Sequence, residues 1–157
     1  MKRRVLFLSA TDALHCVLAE ALLLHIDSKN FEAFSASASR EPLHPILLEV
    51  MGEIGLDLTQ KIPGTIESFH DEFFDFVITL DEVTKDKQYS LTATDTVHWK
   101  FENPLAASNN PEVQRRAARS VRDQIARRLR LFDIVHVRPQ TQTAWHKNSV
   151  EVSLSTS

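Results

Sequence analysis

The sequence predicts an α/β domain in which a parallel sheet packs against helices. Residues 5–8 are a short aliphatic run that gives way to small and polar residues and then to a helical pattern, which is typical of strand, loop and helix in succession. Residues 76–80 are a second continuous apolar run, as expected for a strand covered on both faces. Helical stretches alternate with these strands, and this alternation favours a parallel arrangement.

The first half of the chain supplies two strands and two helices. A helix is expected from Leu14 to about Asp27, because its apolar residues recur at helical spacing and turn residues follow. Residues 31–35 alternate apolar and polar side chains like a strand. Residues 43–57 are expected to be helical, with Pro45 near the first turn and Gly55 at the end. Thr65 is expected to cap a short helical piece.

The second half continues with a third strand at residues 73–80, a polar and irregular stretch at 85–95, and a fourth strand at 96–99. A long helix then begins at Pro111 and keeps one apolar stripe inward. The stripe consists of Val113, Ala117, Val121, Ile125, Leu129 and Phe132. We therefore divide the chain into a domain at residues 1–132 and an extension at 133–157. Alternating apolar residues predict a hairpin for the extension, with a flexible tail or a strand added to a neighbouring subunit as alternatives.

Composition fits one domain of this kind. The chain has 157 residues, 43% of them hydrophobic and 25% charged, which is ordinary for a globular protein. Cys16 is the only cysteine, so no internal disulfide forms, and a reducing cytoplasm is the expected location. Asp12, His15 and Glu20 interrupt the first apolar run, which argues against a signal peptide. No stretch reaches the length of a membrane helix, so a membrane partner is not expected.

The first strand, loop and helix resemble the active-site region of the low-molecular-weight protein tyrosine phosphatases, and more closely the thioredoxin-coupled arsenate reductases of the same fold. Those proteins have an apolar strand, the motif Cys-x5-Arg, a serine, and a helix with Met-Ala-Glu. Here Leu18-Ala19-Glu20 keeps the helical part in register. The family's nucleophilic cysteine then falls on Ser9, and its phosphate-binding arginine falls on His15.

Further segments carry the same resemblance. Residues 44–57 match the family's His-Pro, Glu-Val-Met and Glu-Ile-Gly-Ile-Asp run, and residues 98–104 match its His-Trp-x-Phe-Asp-Asp-Pro motif. Asn103 replaces the general-acid aspartate, and Asp81-Glu82 follows the third strand where the reductases have a redox cysteine. The resemblance spans about residues 3–132. It implies a three-layer α/β/α, flavodoxin-like fold with a four-stranded parallel sheet in the order 2-1-3-4.

The resemblance also implies a candidate site and shows what that site lacks. The family's chemistry needs a thiolate nucleophile, a guanidinium that binds oxyanion oxygens, and an acid that protonates the leaving group. Ser9, His15 and Asn103 cannot supply these groups, so we expect a catalytically degenerate family member that acts in binding or regulation. The candidate ligand-binding residues are Ser9, Ala10, Thr11, Asp12, Ala13, Leu14, His15, Arg40 and Trp99. No cofactor and no metal is expected.

Several alternatives stay open. The loop can hold a small oxyanion such as phosphate, sulfate or arsenate, or a phosphorylated ligand, but an Asp12–His15 hydrogen bond can instead fill that position internally. An enzyme using Ser9 or His15 requires a base within reach of the Ser9 hydroxyl. Cys16 is interpreted as a structural residue, with a redox-sensitive thiol as the weaker alternative.

The arginine-rich helix offers a different kind of function. Residues 111–132 contain seven arginines: Arg115, Arg116, Arg119, Arg122, Arg127, Arg128 and Arg130. Such a face can meet an acidic partner, but a solvated face is favoured because no aromatic residues interleave with the charges. Nucleic acid is therefore not an expected partner, and a homodimer stays open.

Overall fold

The computed structural model contains one four-stranded sheet. It describes the backbone of residues 1–86, 89 and 91–153, and the side chains of residues 1–85, 89 and 91–137. The strands are β1 (Arg3–Ser9), β2 (Phe31–Ser37), β3 (Phe73–Thr79) and β4 (Thr92–His98). All neighbouring strands pair in parallel, in the order β2-β1-β3-β4. The predicted fold class and strand order are confirmed.

Within the described residues, four α-helices and two short 3-10 helices accompany the strands. The α-helices are α1 (Leu14–Asp27), α2 (Pro45–Gly52), α3 (Glu82–Asp86) and α4 (Pro111–Ser153), and the 3-10 helices are Ile66–Phe69 and Pro104–Ala106. Helix α2 is shorter than expected, because the chain leaves it in turns that reach Gly55. Gly55 has φ +84°, which lies in the left-handed region that favours glycine.

The two faces of the sheet bury different amounts of apolar surface. Val5 and Phe7 point to the face covered by α1, α2 and α4, which holds the larger core cluster. Leu6 and Leu8 point to the opposite face, where the 3-10 helix Ile66–Phe69 provides part of the cover. Since β1 is buried on both faces, the loop that follows it starts from a rigid base.

Strand β4 begins earlier than its sequence indicated. We expected residues 85–95 to be irregular and the strand to start at 96, but β4 starts at Thr92 and α3 includes residues 85 and 86. The first part of β4 is polar because β4 is an edge strand, and Thr92 and Asp95 are exposed. Hydrophobicity alone therefore does not reveal this strand.

The expected hairpin in the C-terminal extension is wrong, because α4 continues through the boundary at residue 132 as far as Ser153. Phe132 and His136 lie one turn apart, and their rings contact Phe76 with centroid distances of 4.9 and 4.5 Å. The inward stripe thus keeps its helical spacing, while Ile134 and Val135 are exposed on the outer side. The end of the second expected strand, Leu154, lies outside the described residues.

Candidate functional site

The loop between β1 and α1 lies at the carboxyl edge of the sheet. It starts at Ser9, which is opposite Ser37 of β2 in the parallel register, and it ends where α1 begins at Leu14. The Ser37 hydroxyl donates to the backbone oxygen of Asp12 at 3.0 Å, so β2 supports the loop from one side. This is the position at which α/β proteins commonly bind ligands.

Ser9 lacks a base that could activate its hydroxyl. The residue is 1% exposed, and its Oγ has no hydrogen-bond partner among the described residues. The Cys16 thiol interacts with Ser9 without meeting the geometry of a hydrogen bond; burial raises the pKa of this thiol to about 12, although the interaction with Ser9 opposes the rise. A thiol with that pKa stays protonated at neutral pH and cannot take a proton from Ser9. It is also not a reactive thiolate, which supports the structural interpretation of Cys16.

Asp81 binds the first half of the loop. Its Oδ2 accepts hydrogen bonds from the backbone N–H of Ala10 at 2.6 Å and of Thr11 at 2.9 Å, and it lies 3.1 Å from the donating Thr11 hydroxyl. The family resemblance implies that the backbone N–H groups of this loop would surround a bound oxyanion. A carboxylate of the same chain therefore occupies part of the anion-binding position.

The second oxygen of Asp81 holds the start of α3. Oδ1 accepts from the Thr84 N–H at 2.9 Å and from the Thr84 hydroxyl at 2.6 Å, as an N-cap residue does. Burial raises the pKa of Asp81, but the hydrogen bonds from Thr84, Thr11 and Ala10 outweigh it, so the pKa lies below its ordinary value. Asp81 is thus ionised at neutral pH and joins the loop to α3.

Asp12 and His15 do not form the internal hydrogen bond that the sequence suggested as one alternative. His15 Nδ1 is 3.9 Å from Asp12 Oδ1, which is beyond hydrogen-bond distance, and Asp12 Oδ1 accepts from the Leu14 N–H at 3.0 Å. His15 is 5% exposed and its Nε2–H donates to the Glu102 carbonyl oxygen at 2.9 Å. The residue in the arginine position therefore ties the loop to the segment after β4.

A cavity of about 260 Å³, the loop cavity, opens beside the loop. Asp12, Ala13 and Leu14 form one wall, and residues between 39 and 47 form most of the other. The carboxylate of Glu41 also lines it, so the cavity carries two acidic side chains. Arg40 is exposed and is not one of its lining residues.

The structure gives Trp99 and Asn103 packing and capping contacts. Trp99 is 4% exposed, and its ring packs against Phe7 and Phe132 with centroid distances of 6.5 and 5.7 Å. The Asn103 side-chain oxygen accepts from the Leu105 N–H at 2.9 Å and caps the 3-10 helix Pro104–Ala106. Neither side chain lines the loop cavity.

Three of the seven arginines in residues 111–132 pair with carboxylates of α2 and the residue that follows it. Arg115 contacts Glu49, and Arg119 and Arg122 both contact Glu53. The hydrogen bond from Arg119 is the largest of several effects that lower the pKa of Glu53 to about 2. These pairs join two helices of the same chain, which gives the arginines a structural role.

The described residues form neither a metal-ion cluster nor a membrane-spanning helix. In residues 1–85, 89 and 91–137, no three side chains of histidine, cysteine, aspartate or glutamate are grouped closely enough to hold a metal ion. No helix in the described part of the chain is long and apolar enough to cross a membrane.

Most of the chain is similar to known proteins. Residues 4–135 match the family model described as low molecular weight phosphotyrosine protein phosphatase. The chain belongs to this phosphatase family. The arsenate reductase of Shouchella clausii is 28% identical over 132 residues, which cover 83% of this chain and 95% of that protein. The arsenate reductase of Bacillus subtilis is 26% identical over 129 residues, covering 82% and 93%.

Solved structures agree with the fold of the phosphatase family. An arsenate reductase in its reduced state superimposes with a TM-score of 0.67 at 23% identity and covers 83% of this chain and 95% of its own. The tyrosine phosphatase Wzb from Escherichia coli K30, in complex with sulphate, gives a TM-score of 0.62 at 12% identity and covers 84% and 96%. These similarities confirm the predicted resemblance and the flavodoxin-like topology.

The sequence did not reveal the contact between Asp81 and the loop. The resemblance puts Asp81 in the position of the family's redox cysteine. The loop residues that it binds are far away in the chain, and Ala10 precedes it by 71 residues. The pattern Asp81-x-x-Thr84 was a usable signal for a helix cap. The contact between the other oxygen, Oδ2, and the loop could not be predicted in this way, because it depends on β1 and β3 lying next to each other in the sheet.

Proposed function

We propose that this member of the phosphatase family is catalytically inactive in the family's chemistry and acts as a binding or regulatory protein through the Ser9–His15 loop. Its ligand is a small oxyanion or a phosphorylated group that competes with the carboxylate of Asp81. The observation that carries the proposal is the pair of hydrogen bonds from Ala10 and Thr11 to Asp81 Oδ2. The loop still binds an oxygen anion, but the anion belongs to the protein.

The absence of activating groups supports the inactive part of the proposal. The Ser9 hydroxyl has no base within hydrogen-bond distance among the described residues. His15 uses its Nε2–H on Glu102, and Asn103 uses its side-chain oxygen on Leu105. An amide cannot donate a proton to a leaving oxygen as a carboxylic acid does. No group in the loop therefore performs nucleophilic attack or acid catalysis.

The position of the loop supports the binding part. Backbone N–H groups at the start of a helix, together with the helix dipole, favour a negative charge. Asp81 provides that charge in the wild-type chain, and the acidic side chains Asp12 and Glu41 line the loop cavity. An external oxyanion must therefore displace a carboxylate and approach two others, so we expect weak binding by the wild-type chain.

The first test measures activity. The wild-type chain should neither hydrolyse p-nitrophenyl phosphate nor reduce arsenate with thioredoxin above the rate of Ser9→Ala, because Ser9 has no base. Activity that disappears in Ser9→Ala would overturn the inactive assignment.

The second test measures binding of inorganic phosphate by calorimetry in the wild type and in Asp81→Asn. The substituted amide would keep the shape of the side chain but not its charge, so phosphate affinity should rise by about tenfold, as expected for loss of one competing charged contact. Asp71→Asn is the matched control, since Asp71 is an exposed surface carboxylate. Equal affinity in all three proteins, or no binding in any of them, would contradict the proposed competition.

The other two candidate functions receive less support. An enzyme that uses Ser9 or His15 requires a base next to Ser9, which the described residues do not provide. An interaction module on α4 requires free arginines, and Arg115, Arg119 and Arg122 already pair with Glu49 and Glu53. Binding to nucleic acid that weakens steeply with salt would be the result that favours the helix.

A further inference from the structure

A different hydroxyl, at the end of the strand next to β1, has the base that Ser9 lacks. Thr79 Oγ1 lies 2.9 Å from His98 Nδ1, and His98 Nε2 lies 3.1 Å from a carboxylate oxygen of Glu82. A hydroxyl, an imidazole and a carboxylate thus form one chain of hydrogen bonds. This order of groups is the arrangement that activates a nucleophilic hydroxyl in acyl transfer.

The hydrogen bonds fix the direction of proton transfer for a neutral His98. The Glu82 carboxylate can only accept, so Nε2 carries the ring proton and donates it to Glu82. Nδ1 is then an acceptor, and the Thr79 hydroxyl donates to it. The other acceptor near this hydroxyl, the Val97 carbonyl oxygen, is 3.4 Å away, which is longer than the bond to His98.

Thr79 also borders a cleft that is open to solvent on one side. This cavity of about 320 Å³, the strand-end cavity, has a mixed lining of four apolar and five polar residues, among them Leu8, Val77, Thr79, Thr84 and Lys85. Volumes of this size are usual for small-molecule sites. The cavity adjoins the carboxyl ends of β1 and β3, on the face of the sheet opposite the larger core.

We propose that Thr79, His98 and Glu82 form a site for the hydrolysis of small, uncharged carboxylic esters bound in the strand-end cavity. Thr79 Oγ attacks the ester carbon while its proton passes to His98 Nδ1. The resulting tetrahedral intermediate expels the alcohol, which takes the proton back from His98, and an acyl ester remains on Thr79. Water then attacks this ester with His98 again accepting the proton, and the carboxylic acid and free Thr79 are released.

The charges around the cavity define the substrate class. Lys85 lines the cavity, and its ammonium group lies 3.8 Å from Glu82 Oε1, so it can turn from that contact toward the negative charge that develops on the ester oxygen. Asp81 is ionised and binds Thr84, which lines the cavity, and Glu82 is paired with Lys85, so a phosphate ester or another anionic substrate is disfavoured. Glu82 contacts no substrate in this arrangement and acts as a positioning residue for His98.

The test uses the full-length chain with p-nitrophenyl acetate as the probe. We measure release of p-nitrophenol, and we locate any acetyl group on the protein by peptide mass spectrometry. Thr79→Val and His98→Gln should each lower the rate by about a hundredfold or more, the usual contribution of an activated nucleophile and its base. Thr79→Ser should retain hydrolysis, and the acetyl group in the wild type should be found on Thr79.

Matched controls exclude nonspecific reaction with surface groups. His70→Gln removes an exposed histidine, and Thr92→Val removes an exposed threonine of β4, so both should hydrolyse the ester at the wild-type rate. Glu82→Gln changes a surface side chain that is 61% exposed, so it should fold normally. In this variant the nitrogen NMR signals of His98 should show loss of the single Nε2–H tautomer, together with slower hydrolysis.

Three results would overturn the proposal. One is a wild-type chain that releases p-nitrophenol no faster than buffer. The second is an unchanged rate in Thr79→Val and His98→Gln. The third is an acetyl group found on a lysine or on a histidine other than His98. If Thr79→Val does not fold, the position of the acetyl group in the wild type and the rate of Thr79→Ser decide the question.

Discussion

Ser9 and Thr79 are two buried hydroxyls at the ends of neighbouring parallel strands, and they differ in what surrounds them. Ser9 ends β1, is 1% exposed, and has no hydrogen-bond partner within the described residues. Thr79 ends β3, is 4% exposed, and lies 2.9 Å from the imidazole of His98. The position of the family's nucleophile thus holds a hydroxyl without a base among the described residues, while the next strand holds a hydroxyl with one.

The comparison shows that the function of a polar group follows from its partner more than from its place in the fold. The loop keeps the geometry that suits an anion, yet Asp81 already occupies the N–H groups of Ala10 and Thr11. The same carboxylate caps α3 through Thr84. Restoring a function at the loop therefore requires changes to the partners as well as to Ser9.

The largest effect is expected when the loop is rebuilt in steps. Ser9→Cys alone should leave hydrolysis of p-nitrophenyl phosphate at background, because Asp81 holds the loop amides and His15 offers no guanidinium. Combining Ser9→Cys with His15→Arg, Asp81→Ala and Asn103→Asp should raise the rate by at least about a hundredfold over Ser9→Cys, since oxyanion binding and acid catalysis each contribute that much. Steady-state assays of both proteins check this.

The matched control for the rebuilt protein is the same combination with Ser9→Ala, which has the new partners without a nucleophile. It should be inactive. Full activity of Ser9→Cys alone would show that His15, Asp81 and Asn103 do not limit the chemistry of the loop.

A smaller effect is expected on stability when Asp81 loses its charge. Asp81→Asn should lower the free energy of unfolding by about 2 kcal/mol at pH 7, the usual value for hydrogen bonds to a charged group. The pKa of Asp81 is below its ordinary value in the folded chain, so this stabilisation is present above the ordinary carboxyl pKa and is lost as the pH falls through the lowered one. Denaturant titrations at several pH values measure it, with Asp71→Asn as control.

Asp133 lies next to a second carboxylate, so its contribution to stability should change with pH in the opposite direction to that of Asp81. Burial and the neighbouring carboxylate of Asp27 raise the pKa of Asp133 to about 6, and Asp133 Oδ1 is buried without a hydrogen-bond partner in the described part of the chain. Because the folded pKa is raised, the favourable contribution is present at low pH and is lost as the pH rises through about 6. Burial raises the pKa of Asp27, but its hydrogen bonds with Asp133 and Asn30 lower it overall, so the loss of stability expected at pH 8 comes from the ionised Asp133.

Asp133→Asn tests this pair. It should raise the free energy of unfolding at pH 8 by about 1 kcal/mol, a value reduced for solvent screening of a partly exposed group, and should give no gain at pH 4. Asp123→Asn, at an exposed position of the same helix, is the control. A gain that is equal at both pH values would show that the ionisation of Asp133 is not the cause.

The smallest effect is expected for the arginines of α4. Arg119→Ala should lower the free energy of unfolding only slightly, because its pair with Glu53 is exposed to solvent and screened by it. Arg127→Ala, at an exposed position, should change it by less than the error of thermal or denaturant unfolding. An equal loss in both variants would show that the α2–α4 ion pairs do not contribute.

The sequence predicted the fold well because its signals were local and strong. The buried run at residues 5–8, the helix from Leu14 and the left-handed turn at Gly55 each depend on short patterns that the structure reproduces. Strand β4 was predicted too short, the extension after residue 132 was predicted as a hairpin, and α3 was not predicted. The first two errors have physical reasons. Strand β4 is polar because it lies at an edge, and the extension after residue 132 continues a helical stripe through Phe132 and His136 that alternation of apolar residues obscured.

The site was predicted only in part. The loop residues and the missing cysteine, arginine and aspartate could be read from the sequence, because a motif fixes their positions. Their hydrogen-bond partners could not be read from the sequence, because they come from distant segments. Asp81 binds Ala10, His15 binds Glu102, and Thr79 of β3 binds His98 of the adjacent strand β4. These contacts depend on the register of β1, β3 and β4.

An NMR pH titration of the backbone amides of Ala10 and Thr11 reports on the contact between Asp81 and the loop. Both amide proton resonances should shift together as the pH falls, with one apparent pKa below the ordinary value for aspartate, and the shift should vanish in Asp81→Asn. Amide resonances that do not respond to the protonation of Asp81 would show that its carboxylate does not bind the loop in solution.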